Sequence, residues 1–300
     1  MGLKRLTLLT APRYWDFETE QFVDNPQTLH TSGLFINTEL DMSEIKHIVW
    51  ATISGVEEHK IIEDKMTPAE EQRLLEAIEI TKTMKLFIET NDNYDCAYLD
   101  YIVSRHVTEN NVSLVVLDYI ELTGALMSEF ALITKGMSTR TDQVLLNLSS
   151  QLKAIARRYN VAMLAFTQVS ENARRDANIR DAGAIKDSKS IQNKADLGCT
   201  FFFLTNEELE KIAPLLQTKG FRYTPNAYFH IYKNRGGRFK DVRVFVYQDL
   251  STMRVIDVFA TNSRFEPINI DRIKIEQIAD MYLEMDENED NSTSSTDFCF

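Results

Sequence analysis

The stretch SLVVLDYIEL, residues 113–122, constrains the fold more than any other part of the chain. Four apolar residues, Leu114–Leu117, run straight into Asp118 with no polar residue on an alternate face. A strand apolar on both sides belongs in a parallel sheet covered by helices above and below. A buried, unpaired charge is costly, so Asp118 is expected at the strand's carboxyl end, facing a cation or a cleft.

The rest of the chain fits a run of β–α units. Leu6–Ala11 and Gly33–Glu39 read as short buried strands. Asp41 with Glu44, and Thr67 with Pro68 and Glu70, carry the residues of helix-capping boxes. KLFIE reads as a strand and Tyr94–Glu109 as a helix, followed by a polar, flexible stretch over 124–141. Val144, Leu145, Leu148, Leu152, Ile155 and Ala156 recur at helical spacing. Val161–Gln168 reads as another buried strand, followed by a long polar loop, the strand CTFFFL and a helical insertion near 206–217. YFHIYKNR and KDVRVFVYQ then pair through a turn at Gly236-Gly237. The expected fold class is α/β, a mostly parallel central sheet flanked by helices with antiparallel strands at the C-terminal end.

In such sheets ligands bind beyond the carboxyl ends of the strands. Three strand ends here carry polar residues, Glu39, Asp118 and Gln168, and together they point to one site. Composition narrows what that site can be. Cys96, Cys199 and Cys299 form no CxxC pair, and the five histidines form neither HExxH nor HxH, which argues against a disulfide framework and a zinc site. The apolar run after Lys4 and Arg5 is too short for a membrane span, so a soluble cytoplasmic protein with no membrane partner is expected. The net charge is −12, yet residues 168–243 hold 14 basic against nine acidic residues, a local footprint for a polyanion. From Glu276 onward there are eight acidic residues and no Lys or Arg, so an acidic tail is expected.

From about Gly33 to Val258 the chain resembles the RecA-like motor domain of DnaB-like replicative DNA helicases, in the divergent form found in phages. GLFINTELDMSEI is similar to the family's strand with its catalytic glutamate, and SLVVLDYIEL to its Walker B strand. TDQVLLNLSSQLKAIARRYNVAMLAFTQVS is similar to the helix, strand and glutamine sensor. IRDAGAIKDSKSIQNKADLG resembles the DNA-binding loop and YKNRGG the strand bearing basic fingers.

The resemblance implies a RecA-like P-loop NTPase fold over 1–265, an acidic tail over 266–300, and an ATP-dependent helicase using ATP and Mg²⁺ on single-stranded DNA. Asp118 would hold the metal, Glu39 would polarise the attacking water and Gln168 would sense the γ-phosphate. Lys233 and Arg235 would reach the nucleotide site of a neighbouring subunit in a homo-hexamer. Arg180, Asp181, Gly183 and Lys186 would contact DNA phosphates. Phe298 and Phe300, ending the tail, would dock a primase, a polymerase or a single-strand-binding protein.

The family's most diagnostic motif is absent: no Gly is followed by Lys, so G-x-x-x-x-G-K-[ST] does not occur. With Leu6–Ala11 read as the entering strand, residues 12–32 stand where that loop belongs, as a degenerate or replaced segment. Two alternatives follow: a pseudo-ATPase or incomplete helicase copy acting as a DNA- or replisome-binding subunit, and a RecA/RadA-type recombinase ATPase.

Overall fold

The computed structural model describes residues 2–26, 28, 31–135, 140–168, 189–236, 239 and 241–268. The chain divides into two compact units, residues 1–195 with 247–256, and residues 196–246 with 257–300.

The first unit is built on four parallel strands in the order β4–β3–β5–β6: β3 (Ser32–Asn37), β4 (Leu86–Thr90), β5 (Val112–Asp118) and β6 (Ala162–Ala165). Period-two alternation sorts its apolar residues onto two faces. Leu34, Ile36, Val115 and Leu117 pack with α5 (Cys96–Asn110), α6 (Gly124–Ile133) and α7 (Thr141–Arg158). Phe35 and Val116 pack with α1 (Gly2–Thr10), α2 (Met42–Ser54) and α4 (Pro68–Thr83). The doubly apolar reading of residues 114–117 holds because both faces are covered.

The capping residues read from the sequence act as expected. Asp41 with Glu44 and Thr67 with Glu70 form reciprocal capping boxes. At the other end of α2, Gly55 adopts a left-handed φ of 65°, and the Phe17 ring lies too close for a Cβ. The short α3 (Glu58–Glu63) links α2 to α4.

Three expectations fail. Val161–Gln168, read as a buried strand, is the shorter β6, in which Ala162 and Leu164 are exposed. Residues 6–11 are not a strand: Leu6–Thr10 belong to helix α1, because Leu3, Leu6, Thr7 and Thr10 are buried at the i, i+3, i+4, i+7 spacing of a helix face. Residues 12–32 then contain a hairpin, β1 (Arg13–Asp16) and β2 (Gln21–Asp24), pinned by the Trp15–Phe22 cross-strand pair. The assignment of 12–32 to a phosphate loop rested on reading 6–11 as the entering strand, and that anchor is gone. The stretch expected to be flexible from 124 also begins with a helix, α6, capped by the Thr123 hydroxyl, which accepts from the Leu126 amide.

The second unit carries antiparallel strands in the order β11–β10–β9–β8–β7, namely β7 (Leu197–Phe203), β8 (Ala227–Asn234), β9 (Val242–Asp249), β10 (Arg254–Thr261) and β11 (Pro267–Ile268). The expected hairpin of β8 with β9 is present. Its core is aromatic: Phe245 stacks on Phe259 at 4.7 Å and neighbours Tyr228, whose hydroxyl donates to Glu208 at 2.8 Å. Glu208 also closes the capping box of α9 (Asn206–Lys219) with Thr205. Pro267 and Ile268, inside the segment assigned to the tail, pair with Thr261 and Ala260. Helix α8 (Lys189–Lys194) completes the described elements.

Candidate functional site

The carboxyl ends of β3 and β5 are tied together. Asn37 pairs in register with Asp118. The next residue, Thr38, donates its amide to the Asp118 carbonyl at 3.2 Å, and its hydroxyl accepts the Tyr119 amide at 3.0 Å. Buried Asn37 shapes the following turn: its side-chain oxygen accepts the Leu40 amide at 3.0 Å and its NH₂ donates to the Leu40 carbonyl at 2.6 Å. That turn presents Glu39 to solvent, while Asp118 is half-buried beside it. A cis peptide joins Asp118 to Tyr119. The Tyr119 phenol titrates above its usual range, first because of burial and then because of the charges of Glu121 and Glu39.

Strand β6 delivers the third residue. Phe166 donates its amide to Leu117 at 2.9 Å and accepts that of Ile120 at 2.7 Å, which fixes the start of the segment carrying the exposed Gln168. Glu39, Asp118 and Gln168, the three residues singled out from the sequence, thus all lie at or beyond the carboxyl ends of the adjacent parallel strands β3, β5 and β6.

Helix α1 supplies a feature the sequence reading missed. Its amino end abuts Asp118: a Cβ on Gly2 would lie 3.1 Å from Asp118 Oδ2, 2.8 Å from Val116 and 2.7 Å from Phe166, so only glycine allows this approach. The first turn has Lys4 and Arg5 and no acid. First-turn amides, which have no acceptor within their own helix, and the positive end of the helix dipole therefore adjoin a carboxylate. That pairing suits a phosphate beside a metal ion. Lys4 is half-buried; burial lowers its pKa, while the carboxylates of Glu58 and Asp249 raise it.

Tyr94 was also missed as a site residue. Its buried hydroxyl accepts the Glu121 amide at 3.0 Å and donates to the Glu121 carbonyl at 3.3 Å, holding the segment after Asp118. Burial raises its pKa to about 12. Buried polar side chains at strand ends, such as Asn37 and Thr38, are the signal that could have marked these supports.

Other expected residues stand elsewhere or are not described. Lys233 lies near the end of β8, and Arg235 follows that strand with its guanidinium 3.6 Å from Asp196 and half exposed. Arg180, Asp181, Gly183, Lys186, Phe298 and Phe300 fall outside the described residues. Among the described residues no cluster of His, Cys, Asp and Glu suits a metal ion by itself, and no helix is long and apolar enough to cross a membrane.

A parallel sheet with acidic and amide strand ends, met by a helix amino terminus and followed by antiparallel strands, defines a RecA-like α/β domain. Among the solved structures that share the fold are the following two. One is an ATPase domain (TM-score 0.59, 15% identity, 76% of this chain and 74% of that one), the other a DnaB-like replicative helicase studied with primase (TM-score 0.59, 16% identity, 76% and 50%). Residues 20–254 match the DnaB-like helicase C terminal domain, and the chain belongs to that family of replicative helicase-type ATPases.

The SPbeta prophage-derived uncharacterized protein YorI of Bacillus subtilis (strain 168) is 30% identical over 270 residues, 89% of this chain and 53% of YorI. The replicative DNA helicase DnaB of Mycoplasma pneumoniae is 27% identical over 187 residues, 61% of this chain and 36% of the helicase. The chain thus spans between a third and about half of these curated relatives.

Proposed function

We propose that this chain is the motor portion of a DNA helicase that hydrolyses ATP with Mg²⁺ and moves along single-stranded DNA as a ring of subunits. What supports the reading is that Glu39, Asp118 and Gln168 lie at or beyond the carboxyl ends of three adjacent parallel strands, with the amino end of α1 beside Asp118. Mg-ATP, when bound, supplies a γ-phosphoryl group open to attack by water. Asp118 would hold the Mg²⁺, the amino end of α1 would supply amides for the phosphates, Glu39 would polarise the attacking water and Gln168 would report the phosphate to the residues after it. Tyr94, Thr38 and Asn37 are positioning residues that fix Asp118 and Glu39. Lys233 and Arg235 serve the neighbouring subunit's site, Arg180, Asp181, Gly183 and Lys186 track DNA phosphates, and Phe298 and Phe300 dock a replisome partner such as a primase.

The test is DNA-stimulated ATP hydrolysis together with displacement of a labelled strand from a fork. Glu39→Gln should lower kcat by about 10²–10⁴ while leaving ATP affinity near normal; hydrolysis at the unaltered rate would refute the assignment.

A second reading has its own support. The 300 residues contain no G-x-x-x-x-G-K-[ST], the motif whose lysine usually reaches the β- and γ-phosphates. On this reading the chain is a DNA- or replisome-binding subunit with little nucleotide affinity. Calorimetry at millimolar Mg²⁺ separates the two: tight ATP binding supports the motor, and DNA binding without ATP binding supports the subunit.

A further inference from the structure

Antiparallel sheets commonly bury one face and show a polar face to water. The second unit departs from this. Strands β7, β8 and β9 turn Phe202, Tyr228 and Phe245 into its aromatic core. By alternation along the strand register, the opposite face carries Leu197, Phe201 and Phe203 of β7, Phe229 and Ile231 of β8, and Val244 of β9. None of these six is fully buried, and Leu197 and Phe203 are 54% and 51% exposed. A continuous apolar face at the surface marks a binding site.

The chemistry of the face selects its occupant. Three of the six are phenylalanines in a row, the Phe201 ring lying 4.9 Å from that of Phe229 and 5.7 Å from that of Phe203. Charge adds a second constraint. The chain has a net charge of −12, yet residues 197–203, 227–234 and 242–248 contain no Asp or Glu. They contain Lys233 and Arg243. Asp196, at the entry to β7, lies 3.6 Å from the Arg235 guanidinium. Aromatic rings on strands free of carboxylates suit a polyanion whose units each offer a π-face, which is the chemistry of a single nucleic-acid strand. The segment assigned to DNA phosphates has no ring to offer the bases: the first aromatic residue after Gln168 is Phe201.

We propose that the Phe201, Phe203 and Phe229 face is a platform on which bases of single-stranded DNA stack. Stacking of this kind tolerates any sequence, because every base has a π-face. The inference rests on the DNA-binding part of the reading above, which the motor and the subunit share, and it needs no ATP hydrolysis.

The test is an anisotropy titration of the 300-residue protein with a labelled oligothymidylate of about 15 nucleotides and with an abasic strand of equal length. The parent should bind the oligothymidylate about tenfold or more tighter than the abasic strand. Phe203→Leu keeps an apolar side chain without the ring, and should weaken oligothymidylate binding about fivefold or more while leaving abasic binding unchanged. Phe203→Trp should retain the parent's affinity. Urea unfolding at the parent's midpoint qualifies each variant, and Phe201→Leu repeats the comparison at a second ring. Unchanged oligothymidylate affinity in Phe203→Leu and Phe201→Leu, equal losses on the two strands, or equal binding of both strands by the parent overturns this proposal alone. A parent that binds neither strand overturns the DNA-binding reading with it. A dimer in sedimentation that Phe203→Lys dissociates would assign the face to a second copy of the chain, and would also overturn the proposal.

Discussion

Replacing Tyr94 with phenylalanine removes one oxygen from the support of the site and leaves a fully buried ring in place. That oxygen accepts the Glu121 amide at 3.0 Å and donates to the Glu121 carbonyl at 3.3 Å. A net hydrogen bond contributes about 1 kcal/mol, and a buried group left without its partner costs about 1–3 kcal/mol. The expected loss for Tyr94→Phe is therefore about 1–3 kcal/mol, whereas Tyr94→Ala also empties a ring-sized space and should cost about 3–5 kcal/mol. Urea unfolding with unchanged m-value measures both. Hydrogen exchange locates the effect: the Glu121 amide should exchange about five- to a hundredfold faster in Tyr94→Phe, because local opening there becomes easier by the same free energy. If Tyr94→Phe costs less than about 0.5 kcal/mol and leaves Glu121 exchange unchanged, the hydroxyl does not hold the segment after Asp118.

Three further changes test other parts of the structure. Glu70 titrates at about 2 instead of 4.5, chiefly through its hydrogen bond to Lys60 and then through the Thr67 amide; its contribution is complete above the ordinary value and is lost as pH falls toward 2, so Glu70→Gln should flatten the loss of stability between about pH 5 and 2 and converge with the parent at the acid end. Gly33→Val should cost about 1–3 kcal/mol by overpacking, since a Cβ there already lies 2.7 Å from Leu6 and 3.2 Å from Thr10, and exchange should rise through α1 before the rest of the sheet. In a ring with full ATPase activity, Arg235→Ala should lower hydrolysis by about 10³–10⁵ with little change in ATP affinity. Mixing with Glu39→Gln subunits should then restore part of the rate; no restoration in rings shown to be mixed would reduce Arg235 to the local partner of Asp196.

Much of the fold is legible in the sequence because its signals are local. Asp41 with Glu44 and Thr67 with Glu70 mark helix starts by hydrogen bonds that span three residues. The doubly apolar run 114–117 shows that β5 is covered on both faces, and the parallel class follows from it. The place of Asp118 was legible for the same reason, since a polar residue at the close of a buried strand sits at the carboxyl end of the sheet.

Other features depended on contacts between distant residues. The run from Leu3 to Thr10 satisfies a strand and a helix equally well as an apolar segment, and the choice fell to the helix because Phe35 and Val116 offer one surface to residues four apart. The closeness of Gly2 to Asp118 and the Tyr94 clamp on Glu121 join positions separated by up to more than a hundred residues. No local pattern encodes such pairings. Local hydrogen-bonding and periodicity are written in neighbouring residues, whereas the side of a sheet on which a helix lands is set only when the strands are ordered and their crossovers take one hand.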